Sequence, residues 1–401
     1  MKIRLCFFSL LLGSLGIAQT VTLRVSTYNI LNYPGPTDVN PYLKLIYRAI
    51  HPDVVIVQEF ASLAAAHAFK TSVLDSVGRY GMAEFVDGHD TDNCLFYNNT
   101  KLILVGRRQI KTELRDISEY VLRSHSDATS PPLYFYSLHL KANADVSSEA
   151  QRGREAQLLR NELDKLPANS NFIVAGDFNV YSSAEAAIRI VTASGTGQCL
   201  DPIARLGDWH NNVLYAPYHT QSTRTLEIND GSSGGMDDRF DFIFCSPALM
   251  DESEWRYVPG SYTTFGNDGI RFNRDINTPA NQVVSATMAH ALYWASDHLP
   301  VYMDISCNSA SSLVAKNRNI PDQISLGQNY PNPFNALTTI PFHVPSRATV
   351  RISLFDVQGR LLKVLAHSLY DQGEYKISAD LRELTSGIYY YQLQSDRKSV
   401  V

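Results

Sequence analysis

Between Val21 and Ile305 the hydrophobic positions change period repeatedly, and each change marks an element. Val21, Leu23, Val25 and Thr27 alternate with polar residues, as in a strand with one buried face. Val54-Val55-Ile56-Val57 is an unbroken β-branched run, the pattern of a central strand buried on both faces. Residues 133–140, 172–175, 240–244 and 299–305 read as further strands. Helical stretches lie between them. One covers residues 62–77, and another covers 148–166 with Leu158, Leu159, Leu163 and Leu166 as its apolar stripe. A third begins near Ser182-Ser183, carries Glu185 in its first turn and stops at Gly195, and a fourth covers 282–294. This alternation predicts an α/β layered sandwich in which helices cover sheets.

The pattern shifts after Cys307. Residues 308–324 are rich in Ser and Asn without strand or helix periodicity and read as a linker. Residues 325–401 return to short alternating runs, at 349–355, 373–377 and 387–393, separated by Gln358-Gly359 and Ser386-Gly387, which predicts a small all-β sandwich. At the other end, Lys2 and Arg4 precede an apolar run over 5–17 that closes on Gly16-Ile17-Ala18, the layout of a signal peptide cut after Ala18. That run is too short to cross a bilayer, and no other apolar stretch reaches spanning length. The expected division is therefore 1–18, 19–307, 308–324 and 325–401.

Composition narrows the chemistry. With 44% hydrophobic and 19% charged residues, the 401-residue chain is ordinary for globular domains. Its net charge of −5 becomes −7 once Lys2 and Arg4 are removed, so no excess of basic charge advertises nonspecific nucleic-acid binding. A polyanionic substrate would have to be met by local Arg and Lys side chains and by bound cations. Four cysteines remain after cleavage, Cys94, Cys199, Cys245 and Cys307, too sparse for a metal-binding pair. Export permits a disulfide, with the pairing open, while the apolar runs around Cys94 and Cys245 suit buried thiols.

Six polar words stand where hydrophobic runs begin or end: Thr27-Tyr28-Asn29, Gln58-Glu59, His139-Leu140-Lys141, Gly176-Asp177-Phe178-Asn179, Arg239-Phe240-Asp241 and Ser296-Asp297-His298. Taken singly, each has a plain structural reading. Gly, Asp and Asn make tight turns, and a lone His is commonly a hydrogen-bonded structural residue. Together they supply what hydrolysis of a phosphate ester needs. Asn29 and Glu59 at strand ends offer hard oxygen donors for Mg²⁺, with Mn²⁺ or Ca²⁺ as alternatives. Asp177 can orient a water or protonate a leaving group, and Asn179 can hold a phosphoryl oxygen. Asp241 can orient His298 from a neighbouring strand, and His139 offers a second imidazole. Lys141, Arg152 and Arg154 are candidate phosphate contacts, the last two reading more simply as solvated helix charges. Arg239 is a further candidate for substrate contact.

In this order the six words resemble the endonuclease/exonuclease/phosphatase superfamily, which includes pancreatic deoxyribonuclease, abasic-site endonucleases, neutral sphingomyelinases and inositol polyphosphate 5-phosphatases. The resemblance spans residues 22–305 and implies a four-layer α/β sandwich, two packed mixed sheets flanked by helices, with the site at one edge. It implies Asn29, Glu59 and Asp297 in the metal site, and His139 and His298 bracketing the scissile phosphate. It further implies Asp241 behind His298, with Asp177 and Asn179 on the water and phosphate. It also suggests a polar residue before Cys94-Leu95-Phe96-Tyr97, for which Asn93 is the pocket-lining candidate beside Asp92.

The C-terminal module resembles the sorting domain of the type IX (Por) secretion system through Asn329-Tyr330-Pro331-Asn332-Pro333-Phe334-Asn335, Phe355-Asp356-Val357-Gln358-Gly359-Arg360 and Ser386-Gly387-Ile388-Tyr389-Tyr390-Tyr391. That resemblance implies handling by the outer-membrane secretion machinery, with a secreted or surface location. The competing role, an adhesive or carbohydrate-binding surface, is weakened because three consecutive tyrosines alternate faces on a strand. The expectation is a monomeric, exported, Mg²⁺-dependent phosphodiesterase acting on DNA or RNA. Its alternatives are a hydrolase of lipid headgroups or small phosphate esters and, from another class, a surface binding protein with a decayed site.

Overall fold

The computed structural model describes residues 4–5, 20–88, 90–125, 130–251, 254–308, 324–327, 329, 332, 334, 336–344, 347–371, 373–385, 387–395 and 399–400. Its internal contacts divide the chain into residues 19–309 on one hand and 1–18 with 310–401 on the other. The expected leader lies outside the described residues apart from Arg4–Leu5, and the expected linker lies outside them apart from its ends.

In the larger unit the strands are β1 (Thr20–Tyr33), β2 (Val54–Phe60), β3 (Tyr80–Met82), β4 (Asp92–Asn98), β5 (Leu102–Ile110), β6 (Ile117–Ser124), β7 (Leu133–His139), β8 (Asn171–Asp177), β9 (Asp241–Cys245), β10 (Trp255–Tyr257), β11 (Thr263–Thr264) and β12 (Val301–Asn308). They form two mixed sheets. One runs β10–β12–β1–β2–β4–β3 with β11 also on β12, and the other runs β9–β8–β7–β6–β5. Parallel pairs occur only between β1 and β2 and between β7 and β8; the remaining pairs in these sheets are antiparallel.

Alternation dictates how the sheets stack. Leu23, Val25, Val54 and Ile56 point from the first sheet onto Phe135, Ile173 and Ile243 of the second, forming the central core. On the opposite face of the first sheet, Tyr28, Val55 and Val57 pack under α1 (Asn40–Ile50), α2 (Leu63–Ser72) and α6 (Ala286–Ala295). On the outer face of the second, Tyr136, Val174 and Phe242 pack under α3 (Val146–Leu163) and α4 (Ala186–Thr192). The result is the four-layer α/β/β/α sandwich. A short α5 (Pro247–Met250) follows β9.

Local chemistry moves several helix boundaries. The Asp145 carboxylate accepts from Ser147 N and Ser148 N, so α3 starts two residues before the expected 148. Leu159 and Leu163 are buried but Leu158 is exposed: one residue of helix turns its side chain about 100° off the buried face. Glu185 is not inside α4. Its carboxylate takes Arg152 Nε (2.8 Å) and Tyr181 N (2.8 Å), leaving its own backbone extended just before the helix. Arg152 is accordingly buried, not solvated, whereas Arg154 pairs at the surface with Glu113. Cys94, Cys199 and Cys245 are buried free thiols, and Cys307 is buried as well.

In the smaller unit, Leu337–Val344 pairs antiparallel with Ser325–Leu326 and Gly373–Asp380. Ala348–Phe355 pairs antiparallel with Leu361–Tyr370 and Ile388–Ser395. Ile340, Phe342, Val350, Ile352, Tyr391 and Leu393 share one core between these sheets. Tyr389 and Tyr391 are buried and Tyr390 between them less so, as alternation requires. Among the described residues no helix is long and apolar enough to cross a membrane.

Candidate active site

The site is assembled at one edge of the two sheets. In the second sheet the register pairs Asp241 with Asp177 and Asp177 with His139, so three chemically active side chains end three adjacent strands in one row. Gly176 makes the row possible. Its φ is +145°, and a Cβ there would lie 2.0 Å from the Leu138 carbonyl oxygen. Past the strand end the chain turns sharply: Asn179 N donates to Asp177 Oδ1 (2.9 Å) and Asn179 Nδ2 to the Leu140 carbonyl (3.2 Å). Asn179 itself holds a left-handed φ of 51°.

The first sheet contributes through an irregularity. Pairing of β2 with β4 slips between Val57 and Phe60, and Glu59 takes a φ of 71°. The slip turns its carboxylate out of the pleat and into the cleft. There Glu59 Oε1 accepts from Asn29 Nδ2 (2.8 Å) and Oε2 from Asn32 N (2.8 Å), while Asn29 Nδ2 also reaches Asp177 Oδ2 (3.1 Å). Beneath them Gln58 joins the two sheets, accepting from Thr27 Oγ1 (3.2 Å) and donating to Ser137 Oγ (3.3 Å).

Ser296-Asp297-His298 leads from α6 into β12, and each member has its own anchor. Ser296 Oγ donates to the Asn29 carbonyl (2.7 Å), Asp297 Oδ2 accepts from Ser232 N (2.7 Å), and His298 Nδ1 donates to Asp241 Oδ2 (2.7 Å). His298 Nε2 then lies 3.6 Å from Asp177 Oδ2, and His139 Nε2 lies 3.5 Å from the same oxygen.

The surroundings shift the two histidines in opposite directions. Burial drives His139 well below the ordinary imidazole range, and Arg115, His298 and Lys141 push the same way; its Nδ1 has no hydrogen-bond partner among the described residues. Burial also opposes charge on His298, but Asp241, Asp177 and Asp297 together outweigh it and hold the ring well above that range. Between them, burial pushes the Asp177 carboxyl up to about 7, with Asp241 and Glu59 adding and His298 opposing. Glu59 is raised as well, by burial first and by Asp297 second.

Glu59, Asp177, Asp241 and Asp297 thus crowd together, and Asp241 Oδ1 has no hydrogen-bond partner among the described residues. Clustered carboxylates beside an amide oxygen form a hard-donor set that suits a divalent cation. Another group of ligand-type side chains, His210, Asp237 and Asp238, lies outside the cleft lining, with the His210 ring against Tyr181 (5.1 Å between centroids).

The cleft encloses about 270 Å³. Of the residues expected at the site, Glu59, His139, Asp177, Asn179, Asp297 and His298 line it, while Asn29 and Asp241 stand directly behind. Three candidates are not in the lining. Asn93 is buried, with Nδ2 donating to the carbonyls of Asp116 (3.1 Å) and Ser137 (3.4 Å). Arg239 is buried as the partner of Asp201 (2.9 Å), stacked over Phe242 (4.2 Å), so its guanidinium is structural. Lys141 acts on His139 through space but does not line the cleft.

The sequence reading missed Arg115, Gln221, Asn143 and Ser232. Gln221 bridges on its backbone to both Asp238 and His298; its Nε2 lies 2.6 Å from His298 Nε2 and donates to Asp297 Oδ2 (3.3 Å). All four lie outside regular elements, where no periodicity marks them.

Residues 26–298 match the model of the Endonuclease/Exonuclease/phosphatase family, and residues 328–401 match that of the secretion system C-terminal sorting domain. No curated protein sequence matches the chain. Among solved structures, that of D. rerio TDP2 complexed with single strand DNA product is 15% identical, covering 71% of this chain and 98% of that one, with a TM-score of 0.48. The human Nocturnin catalytic domain is 17% identical, covering 72% and 97%, with a TM-score of 0.46. A mannosyl-6-phosphatase from Bacteroides thetaiotaomicron is 18% identical, covering 71% and 99%, also at 0.46.

Proposed function

We propose a catalytic path for this chain, which belongs to the Endonuclease/Exonuclease/phosphatase family, a family of metal-dependent phosphoric ester hydrolases. The observation that carries it is the pair of buried histidines, 3.5 and 3.6 Å from one Asp177 oxygen, whose surroundings push their basicity in opposite directions. In this reading a phosphoryl group sits between the two rings. Asp177, once ionised, orients a water and takes its proton as the water oxygen adds to phosphorus and the opposite P–O ester bond breaks, the leaving oxygen keeping the bonding pair and taking a proton from solvent. The charged His298, backed by Asp241, donates to a phosphoryl oxygen as negative charge grows there. Neutral His139 faces the opposite side, where it donates a hydrogen bond without adding charge. Asn179 holds a second phosphoryl oxygen, and Arg115, half-buried in the cleft wall, pairs with the phosphate charge.

Glu59, Asn29 and Asp297 are the residues that would hold a divalent ion, Mg²⁺ by preference with Mn²⁺ or Ca²⁺ as alternatives. When bound it supplies Lewis-acid neutralisation of phosphoryl oxygens. The C-terminal sorting domain directs the protein to type IX secretion, and thus to the cell surface or outside it. DNA or RNA is one substrate class such a site serves, and small phosphate esters are another.

The test is hydrolysis of bis(p-nitrophenyl) phosphate by purified full-length protein with Mg²⁺. EDTA is expected to abolish it, and His298→Ala to lower it by about 10³-fold with the fold intact. Unchanged hydrolysis by folded His298→Ala would refute the path.

A further inference from the structure

The cleft's size and charge speak to the substrate, on the premise that the hydrolase reading above holds. Its lining carries four carboxylates, Glu59, Asp177, Asp230 and Asp297, against a single Arg or Lys among the described residues, Arg115. Arg115 is itself shared with Asp90 at 2.8 Å. One bound divalent ion and one guanidinium neutralise one phosphate group, not a chain of them.

Most cations beyond the lining are paired, Lys111 with Asp116, Arg152 with Glu185 and Arg154 with Glu113, which leaves Lys141 beside His139 and the buried Arg224 beside Asp297 outside such pairs among the described residues. A nucleic-acid strand presents a phosphate at every nucleotide and is held chiefly by unpaired Lys and Arg along its path. Asp230 puts a further carboxylate, not a cation, in the cleft lining. What the lining offers beyond the reacting groups is neutral hydrogen bonding: the Asn32 and Asn143 amides and the Thr91, Tyr181 and Ser232 hydroxyls. Asn143 and Asn32 are held in left-handed turns, at φ of 80° and 48°, and both are exposed toward solvent at the cleft mouth. Such groups recognise hydroxyls. At about 270 Å³ the cleft falls just under the roughly 300 Å³ where drug-sized pockets begin, so it suits a single compact unit.

We infer that the cleft is built for a small, polyhydroxylated phosphate ester, a sugar or polyol phosphate in monoester or diester form, rather than for a nucleic-acid strand. The phosphate takes the reacting centre and Arg115, and the hydroxyls take the amides and hydroxyls at the mouth.

The experiment compares purified full-length protein with Mg²⁺ on glucose 6-phosphate, glycerophosphocholine, a single-stranded oligonucleotide, plasmid DNA and sphingomyelin vesicles. One of the two small esters is expected to exceed the nucleic acids in kcat/KM by about a hundredfold or more, and which of them wins separates monoester from diester. Raising NaCl from about 50 to about 200 mM is expected to cost that reaction only about threefold, the dependence of one phosphate contact. Asn143→Gly keeps the backbone angle and removes the amide; it is expected to raise KM about tenfold with kcat within about twofold. Preferential cleavage of oligonucleotide or plasmid with steep salt dependence, or of the vesicles, would overturn this inference and leave the hydrolase reading standing. No hydrolysis of any of the five with Mg²⁺ or Mn²⁺ would overturn the hydrolase reading itself.

Discussion

His139 and His298 are the same residue type, buried to the same degree, and almost equally far from Asp177, at 3.5 and 3.6 Å. They differ in what stands behind them. His298 Nδ1 has the Asp241 carboxylate at 2.7 Å, with Asp297 as its chain neighbour. Among the described residues His139 Nδ1 has no hydrogen bond, the Glu59 carboxylate lying 3.8 Å away, and Arg115 and Lys141 oppose its charge. Desolvation acts on both rings and would leave both neutral; only the wall with a close carboxylate overcomes it. The chemistry of each histidine is thus set by the second layer and not by the residue in the cleft.

The steepest way to break this comparison is to delete the charged side: His298→Ala is expected to lose about 10³-fold in kcat. Asp241→Asn keeps His298 but removes the carboxylate that holds its charge. It should cost about 10²-fold at neutral pH, and the high-pH limb of the rate profile should move down toward the ordinary histidine range. His139→Gln removes the ring that is already neutral and is expected to cost about tenfold, with both limbs in place. Equal losses in the two histidine variants, with equal limb shifts, would erase the distinction between the walls.

The wild-type pH profile sharpens the same point. Asp177 must be ionised to take a proton, and burial raises it to about 7. The rate is therefore expected to rise about tenfold per pH unit below that value and to level above it. It should fall again only well above the histidine range, where His298 loses its proton. An acid-side plateau reaching down to the ordinary aspartate range would show that Asp177 is not the titrating group. The smallest expected effect lies under both walls. Gln58→Leu breaks the link from Thr27 to Ser137 and strands buried hydroxyls, costing about 1–3 kcal/mol in denaturant unfolding.

How much of this was legible beforehand follows from the physics of each part. Strands buried on one or both faces write their period into the chain, so Val54–Phe60 and Asn171–Asp177 were readable to within three residues. The six polar words were readable because each interrupts such a run. The walls' second layer was not. Arg239 stands in a word that opens a strand and was a substrate-contact candidate, yet Asp201, 38 residues earlier, takes its charge. Gln221 lies 77 residues before His298 and meets it through a backbone bridge that no local pattern announces. Helix Asn40–Ile50 was not read, although its buried Leu43, Ile46, Tyr47 and Ile50 stand at helical spacing. Arg115, too, carries no signal, since a loop places it by tertiary contact alone.

The most direct test of the opposite-state pair is an NMR pH titration of the imidazole ring nitrogens in metal-free full-length protein, with His139→Gln and His298→Ala used to assign the two signals among the chain's 11 histidines. The account predicts that the His298 ring stays protonated through neutral pH while the His139 ring stays neutral well below it. Two rings titrating together near the ordinary histidine value would contradict it.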